Sequence, residues 1–310
     1  MPAPPAISVQ QLTRRFGDTL AVDRLSFDVA PGAICGVVGP NGAGKSTTFR
    51  TLCGLLRPTS GVVRVLGRDV AADRHAVASC VGLLPETPHF YPYMSGERNL
   101  EALADMTTPP APPVSRARCR ELLALTGLTN AAGRVVSGYS AGMKQRLALA
   151  AALLTNPRIL LLDEPTAGLD PTGALELREL IRTLAAEGRT ILMATQALDE
   201  AERTCSQLIV LSRGQLRANV QVADLLAPSG LRMRVHPVAD AVRILSALPG
   251  VTAAAGSADD DVTRDIINVD AGETPAAVLV RALVMGGVDV SEVATHRETL
   301  EHHFLQLTAV

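Results

Sequence analysis

The chain has 310 residues, 47% of them hydrophobic and 19% charged, with a net charge of −2 and an isoelectric point near 6.3. This supplies apolar matter for one large domain or two smaller ones, and it lacks the basic excess that draws proteins onto nucleic acid or anionic lipid. With no Trp, three Tyr and five Phe there is no aromatic platform for single-stranded nucleic acid, and Cys35, Cys53, Cys80, Cys119 and Cys205 form no C-x-x-C pair, which fits a reducing compartment rather than a disulfide framework or zinc site.

The N-terminal MPAPPAISVQ has no basic stretch followed by an apolar core, so no export signal is expected. The longest apolar run in a helical context, Leu147–Leu154, is shorter than the roughly 20 residues that span a bilayer. The expectation is a cytosolic chain that reaches a membrane only by docking onto another protein. Ile34–Val38 is an apolar run that reads as a buried strand. Directly after it come Gly39, Pro40, Asn41, Gly42, Ala43, Gly44, Lys45, Ser46 and Thr47, which fit G-x-x-x-x-G-K-[ST] between a strand and a helix. In such a loop Gly42 and Gly44 let the backbone wrap a phosphate chain with its N–H groups inward. Lys45 then reaches the β- and γ-phosphates, and Ser46 ligates Mg²⁺.

Pro109, Pro110, Pro112 and Pro113 mark a surface loop. The run from Tyr139 to Arg146 opens a helix; Ser140 is placed as its N-cap, and with Gly142 it makes an anion site, although taken alone it is only a capped helix. Ile159–Leu162 is a second apolar strand, and it delivers Asp163 and Glu164 to its C-terminal edge, where open α/β sheets bind ligands. Asp163 would hold Mg²⁺ through water, and Glu164 would polarise an attacking water as general base. Thr190–Ala194 and Leu208–Leu211 complete four short apolar runs, the pattern of a mainly parallel sheet buried on both faces of an α/β domain.

After about Ala218 the pattern changes. Strands are expected at Leu231–His236, Val251–Ala255, Asp265–Val269 and Val288–Val293, with helices at Ala239–Leu248 and Pro275–Met285. That order suits a small ferredoxin-like α+β unit, with a closing helix near Glu298–Leu307. The acidic run Asp259–Asp261 reads as a solvated hairpin turn, and the adjacent His302 and His303 point to different sides of a helix, which speaks against a metal site.

These motifs, in this order, resemble the ATP-binding-cassette (ABC) ATPase family. YSAGMKQR resembles that family's signature, usually LSGGQ-x-x-R; Phe16 matches its adenine-stacking aromatic, Glu86 its Q-loop, Asp170 its D-loop and Gln196 its switch histidine. The resemblance covers about residues 6–220 and implies a P-loop ATPase cassette, a RecA-like core plus a helical subdomain. Residues 228–310, ending in ETLEHHFLQLT, resemble the accessory C-terminal domain of many ABC-2-type exporter ATPases. The implied function is that of an ATP-binding and ATP-hydrolysing subunit powering such an exporter, with ATP and Mg²⁺ as cofactors and Ser46, Asp163 and Glu86 around the metal. The implied partners are an integral membrane permease, contacted near Phe90, Tyr91 and Tyr93, and a second copy of the chain. In that head-to-tail homodimer Ser140, Ala141, Gly142 and Met143 would face the nucleotide held by the other subunit, and the protein would sit on the inner face of the cell membrane through its permease.

Three positions depart from the family pattern. YSAGM replaces LSGGQ and Glu86 replaces the Q-loop Gln, both forms that also occur among ABC-2 exporters. Gln196 replaces the switch His, which bears on the rate of hydrolysis and leaves open a weakly hydrolysing regulatory subunit, against which Glu164 stands. A soluble ABC protein of translation or repair is disfavoured, because the chain has one cassette and Ser140 follows Lys45 by only 95 positions. The YSAGM form and the tail likewise disfavour an importer. The sequence leans towards drug or lipid export without naming the cargo.

Overall fold

The computed structural model describes residues 3–107, 114–226, 230–255, 265–272, 274–296 and 300. The proline-rich loop, the acidic run, the closing helix and the His302–His303 pair lie outside the described residues. The chain divides into two compact units, one through Val222 and one from Ala223.

In the first unit β1 (Ile7–Phe16) and β2 (Thr19–Val29) form an antiparallel hairpin, and β3 (Ile34–Val38) leads into α1 (Lys45–Leu52). Next come β4 (Ser60–Val65), β5 (Arg68–Asp69), α2 (Arg74–Ala78) and β6 (Val81–Leu84). α3 (Gly96–Asp105), α4 (Arg116–Leu125) and α5 (Ala141–Ala152) pack on one another as a helical subdomain. Ser95, Ser115 and Ser140 start these helices, each accepting a hydrogen bond from the backbone N–H three residues on. The chain then alternates through β7 (Ile159–Asp163), α6 (Pro171–Ala186), β8 (Thr190–Thr195), α7 (Leu198–Thr204), β9 (Gln207–Ser212) and β10 (Gln215–Gln221), closing with α8 (Val222–Leu225) at the division between the units.

The central sheet has the order β10-β9-β3-β8-β7-β6, with five parallel strands and β10 antiparallel at one edge. Every residue of β7, β8 and β9 is buried. That is the state the apolar runs demand, since removing one Leu or Ile side chain from water is worth about 1.5–3 kcal/mol. A second sheet, β2-β1-β4-β5, is wholly antiparallel and shares its core with the first: Ile7, Leu25, Val37, Phe49, Leu161 and Ile209 belong to one buried cluster. The sequence reading did not anticipate this sheet. Bulges break the pairing of β1 with β2 between Val9 and Leu12, Leu12 and Arg14, and Arg14 and Arg15, so the two-residue alternation of a half-buried strand is lost.

The second unit runs β11 (Gly230–His236), α9 (Val238–Ser246), β12 (Thr252–Ala255), β13 (Ile266–Asp270), α10 (Ala276–Met285) and β14 (Asp289–His296). Its antiparallel sheet has the order β12-β13-β11-β14, the ferredoxin-like arrangement expected from the sequence. Met233, Val235, Ile267 and Val269 from the sheet pack with Leu245, Leu279 and Leu283 from the helices in a core of its own.

Candidate functional site

The phosphate-loop residues sit where β3 ends and α1 begins. Gly44 is the N-cap of α1 with φ +100°, and Gly42 has φ +78°, backbone geometries that side chains resist. A Cβ on Gly39 would fall 2.3 Å from the Leu211 carbonyl oxygen, so the loop also needs glycine for close approach. No side chain caps α1, unlike α3 to α6, so the amides of Lys45, Ser46 and Thr47 stay open at its first turn. Open amides plus the positive end of the helix dipole form an anion site. The loop is braced from the β9–β10 turn, where Gly214 N–H donates to the Ala43 carbonyl at 3.2 Å and Asp23 N–H donates to the Gly214 carbonyl at 2.8 Å.

The loop lines a cleft of about 330 Å³. Asn41 to Thr47 form one wall, Glu86, Asp163, Glu164 and Gln196 a second, and Thr19, Leu20 and Ala21 of the β1–β2 hairpin a third. The sequence reading had placed the first two walls; the hairpin wall was missed, for the same lost alternation. Phe16 stands at the end of β1 in that hairpin, 43% exposed, with the Arg14 guanidinium 4.4 Å over its ring, and it is not among the residues lining the cleft.

Lys45 is 6% exposed and its ammonium donates to the carbonyls of Gly39 at 2.7 Å and Pro40 at 3.3 Å. Burial pulls its pKa down, opposed by the charges of Glu164, Asp163 and Glu86. Asp163 closes β7, buried, with its pKa raised chiefly by desolvation, while a hydrogen bond with Ser46 works the other way. Glu164 follows with φ +49°, a left-handed turn uncommon outside glycine, held by its N–H donating to the Ala194 carbonyl at 2.9 Å. Desolvation raises its pKa too, against a hydrogen bond from Gln196, whose Nε2 lies 3.2 Å from Glu164 Oε1. Three carboxylates thus face one lysine in a cleft suited to polyphosphate, an excess of negative charge that calls for a cation. Ser46, Asp163 and Glu86 are hard oxygen donors of the kind Mg²⁺ takes. Among the described residues no three His, Cys, Asp or Glu side chains cluster as a metal cage, so such an ion would complete its shell with phosphate and water.

Ser140, Ala141, Gly142 and Met143 do not line this cleft. They form the start of α5, where Ser140 Oγ accepts from Met143 N–H at 3.2 Å. Gly142 lies against Leu169, beside Asp170, which caps α6 by accepting from Gly173 N–H at 3.3 Å. One link the sequence did not disclose joins α5 to the cleft: buried Gln145 donates to the Glu164 carbonyl at 3.3 Å. Tyr91 and Tyr93 stand exposed with ring centroids 6.0 Å apart, on a loop pinned by Asn99, which exchanges hydrogen bonds with both backbone groups of Tyr91. All five cysteines are free thiols, Cys35, Cys119 and Cys205 buried, and burial pushes Cys53 up to about 12. Among the described residues no helix is long and apolar enough to cross a membrane.

Known proteins share this arrangement. The ABC transporter family model matches residues 22–167. The chain is 37% identical to the daunorubicin resistance ATP-binding protein DrrA3 of Streptomyces coeruleorubidus over 310 residues, covering 98% of this chain and 96% of that one. It is 37% identical to the bacitracin transport ATP-binding protein BcrA of Enterococcus faecalis over 220 residues, covering 71% and 70%. Among solved structures, an ATP-binding subunit of an ABC transporter superposes with a TM-score of 0.63 at 28% identity, over 71% of this chain and 91% of its own. The phosphate loop on an uncapped helix, the paired carboxylates beside it and these relatives, one of them matched over nearly its full length, agree: the chain belongs to the ABC transporter ATP-binding family and is an ATP-binding, ATP-hydrolysing subunit of the ABC-2 exporter type.

Proposed function

We propose that Glu164 and Gln196 form the hydrolytic pair of this ATPase, working on an Mg²⁺-ATP held by residues 39–47. The observation that carries this reading is the Gln196 Nε2 to Glu164 Oε1 hydrogen bond at 3.2 Å, in the cleft that the open first turn of α1 also lines. The amides of Lys45, Ser46 and Thr47 and the Lys45 ammonium bind the β- and γ-phosphates. Glu164 accepts a proton from the attacking water, and Gln196 orients Glu164 and donates towards the γ-phosphate. Ser46, Asp163 and Glu86 would hold Mg²⁺, which would supply positive charge against the phosphates. Phe16 offers its ring to the adenine beside the Thr19–Ala21 wall.

That Ser140–Met143 stand outside the cleft supports a head-to-tail homodimer, in which α5 of one subunit closes the site of the other. Closure on ATP and opening after hydrolysis would drive an integral membrane permease seated over Tyr91 and Tyr93, and so keep the protein on the inner face of the cell membrane. The relatives named for daunorubicin resistance and bacitracin transport support a cargo of drug or antibiotic type. The cassette, about residues 6–220, is the catalytic part, and residues 228–310 steady the dimer or tune its rate.

The test is Glu164→Gln. It should bind ATP, stop turnover and accumulate an ATP-bound dimer on size-exclusion chromatography, whereas Lys45→Ala should lose tight ATP binding or hydrolysis. Wild-type turnover by Glu164→Gln would remove Glu164 from its role.

A further inference from the structure

We infer that Glu200 is a positioning residue of the hydrolytic site, a buried carboxyl that holds Thr195, the residue next to Gln196 of the Gln196–Glu164 pair, in register. The inference rests on the roles proposed for that pair. Glu200 lies in the first turn of α7 beside Asp199. A carboxylate there ordinarily faces water and gains from the helix dipole, and Asp199 does so. Glu200 turns inward and is only 5% exposed. A carboxylate taken out of water is expensive unless its oxygens are paired. Glu200 Oε2 accepts from the Thr195 hydroxyl at 3.0 Å, yet Oε1 has no hydrogen-bond partner among the described residues. Packing alone does not explain a carboxyl kept in such a place, because an apolar side chain of similar volume would fill the same space at lower cost.

What the group does locally is visible in its contacts. The Thr195 hydroxyl gives its proton to Glu200 and turns its lone pair to Ala197 N–H, 3.1 Å away. Residues 195 and 197 are thereby clamped on either side of Gln196, and the direction of the clamp depends on an acceptor at position 200. Without that acceptor Thr195 Oγ1 can still accept from Ala197 N–H, but nothing anchors the hydroxyl from its other side. Burial raises the Glu200 pKa first of all, and on the other side Thr166, two residues beyond Glu164, is near enough to work against that rise. Glu164 itself is near enough for its charge to oppose ionisation of Glu200. One side chain therefore bonds to the segment that carries Gln196, and it is not among the residues lining the cleft.

The experiment uses the full-length protein with Mg²⁺-ATP, comparing wild type, Glu200→Ala, Glu200→Gln, Thr195→Val, Gln196→Ala and the double variant Glu200→Ala/Gln196→Ala. Glu200→Ala should lower kcat about tenfold with KM for ATP moving less than about twofold, because the loss falls on the transition state alone. Glu200→Gln, whose amide oxygen still accepts from Thr195, should recover most of the rate. Thr195→Val should reproduce the kcat loss, which keeps the test open if Glu200→Ala does not fold. The double variant should be no slower than the slower of its two parents, since both act through one unit. Multiplying effects, a KM that rises as kcat falls, or a wild-type kcat in Glu200→Ala would each overturn the inference. If Glu164→Gln keeps wild-type turnover in the same assay, the proposed hydrolytic pair has failed and the inference falls with it; if Glu164→Gln is dead but Glu200→Ala is normal, only the inference fails.

Discussion

Gln196 allows the proposed chemistry to be tested by rate. Its amide is exposed, and a side-chain hydrogen bond at the cleft runs from Nε2 to Glu164 Oε1 at 3.2 Å, long for an N–H donor to a carboxylate. Hydrogen bonds to charged groups contribute about 1.5–3 kcal/mol, and the length and exposure put this one at or below the bottom of that range. Removing it in Gln196→Ala should therefore raise the barrier by about 1–1.4 kcal/mol, a step roughly five- to tenfold slower. The variant also removes one of the bonds that favour the charged, water-activating form of Glu164, while the backbone N–H of residue 196 and the Lys45 charge still favour it. Gln196→His changes the sign: a protonated imidazole turns a neutral donor into a charge-assisted one, which gains on the order of 1 kcal/mol and makes the step about fivefold faster. Steady-state ATPase rates at saturating Mg²⁺-ATP should rank Gln196→His above wild type and wild type above Gln196→Ala. Equal rates in all three would show that Gln196 merely ends β8, and the switch role would have to be abandoned.

Phe16→Ala should weaken ATP binding roughly ten- to a hundredfold, since stacking a base on an aromatic ring is worth about 1–3 kcal/mol. Calorimetric titration with ATP reads this directly, and an unchanged affinity in a folded variant would assign the ring to packing under Arg14 instead. Truncation after Leu226 should leave a soluble protein that still binds ATP, because Met233, Ile267, Leu279 and their neighbours form a core of their own. An insoluble product would show that the two units depend on a shared core.

The parts of the fold visible in sequence are those where one physical requirement dominates. Leu160, Leu161 and Leu162 must be buried on both faces, so β7 shows itself as an uninterrupted apolar run. Gly39, Gly42 and Gly44 occur where no Cβ fits or where φ is positive, so the phosphate loop is a spacing pattern before it is a structure. The tail was legible because its strands and helices alternate with clear periods around Met233, Leu245 and Leu279. The β1–β2 hairpin was not, since its bulges move inward positions off the two-residue beat and leave Gln11 and Arg14 inside a strand. Thr19, Leu20 and Ala21 went unnoticed with it. Glu200 and Gln145 were hidden for a different reason. An acid in a helix's first turn and a glutamine in its second are ordinary surface residues by composition, and only the tertiary contacts bring one against Thr195 and the other against the Glu164 carbonyl.

The Gln145 contact has a consequence for the proposed dimer as a machine. Gln145 lies in the second turn of α5, the helix whose N-terminus would meet the partner's ATP, and it is bonded to the backbone of the residue that would activate water on its own ATP. A shift of α5 on meeting the partner's nucleotide would reach Glu164 through a single hydrogen bond, with no change in the local phosphate loop. The two nucleotides would then be thermodynamically linked: whatever free energy one gains from the state of the other must be returned in equal measure, so neither site has a binding constant of its own. Cooperativity in ATP would follow from the geometry of one amide.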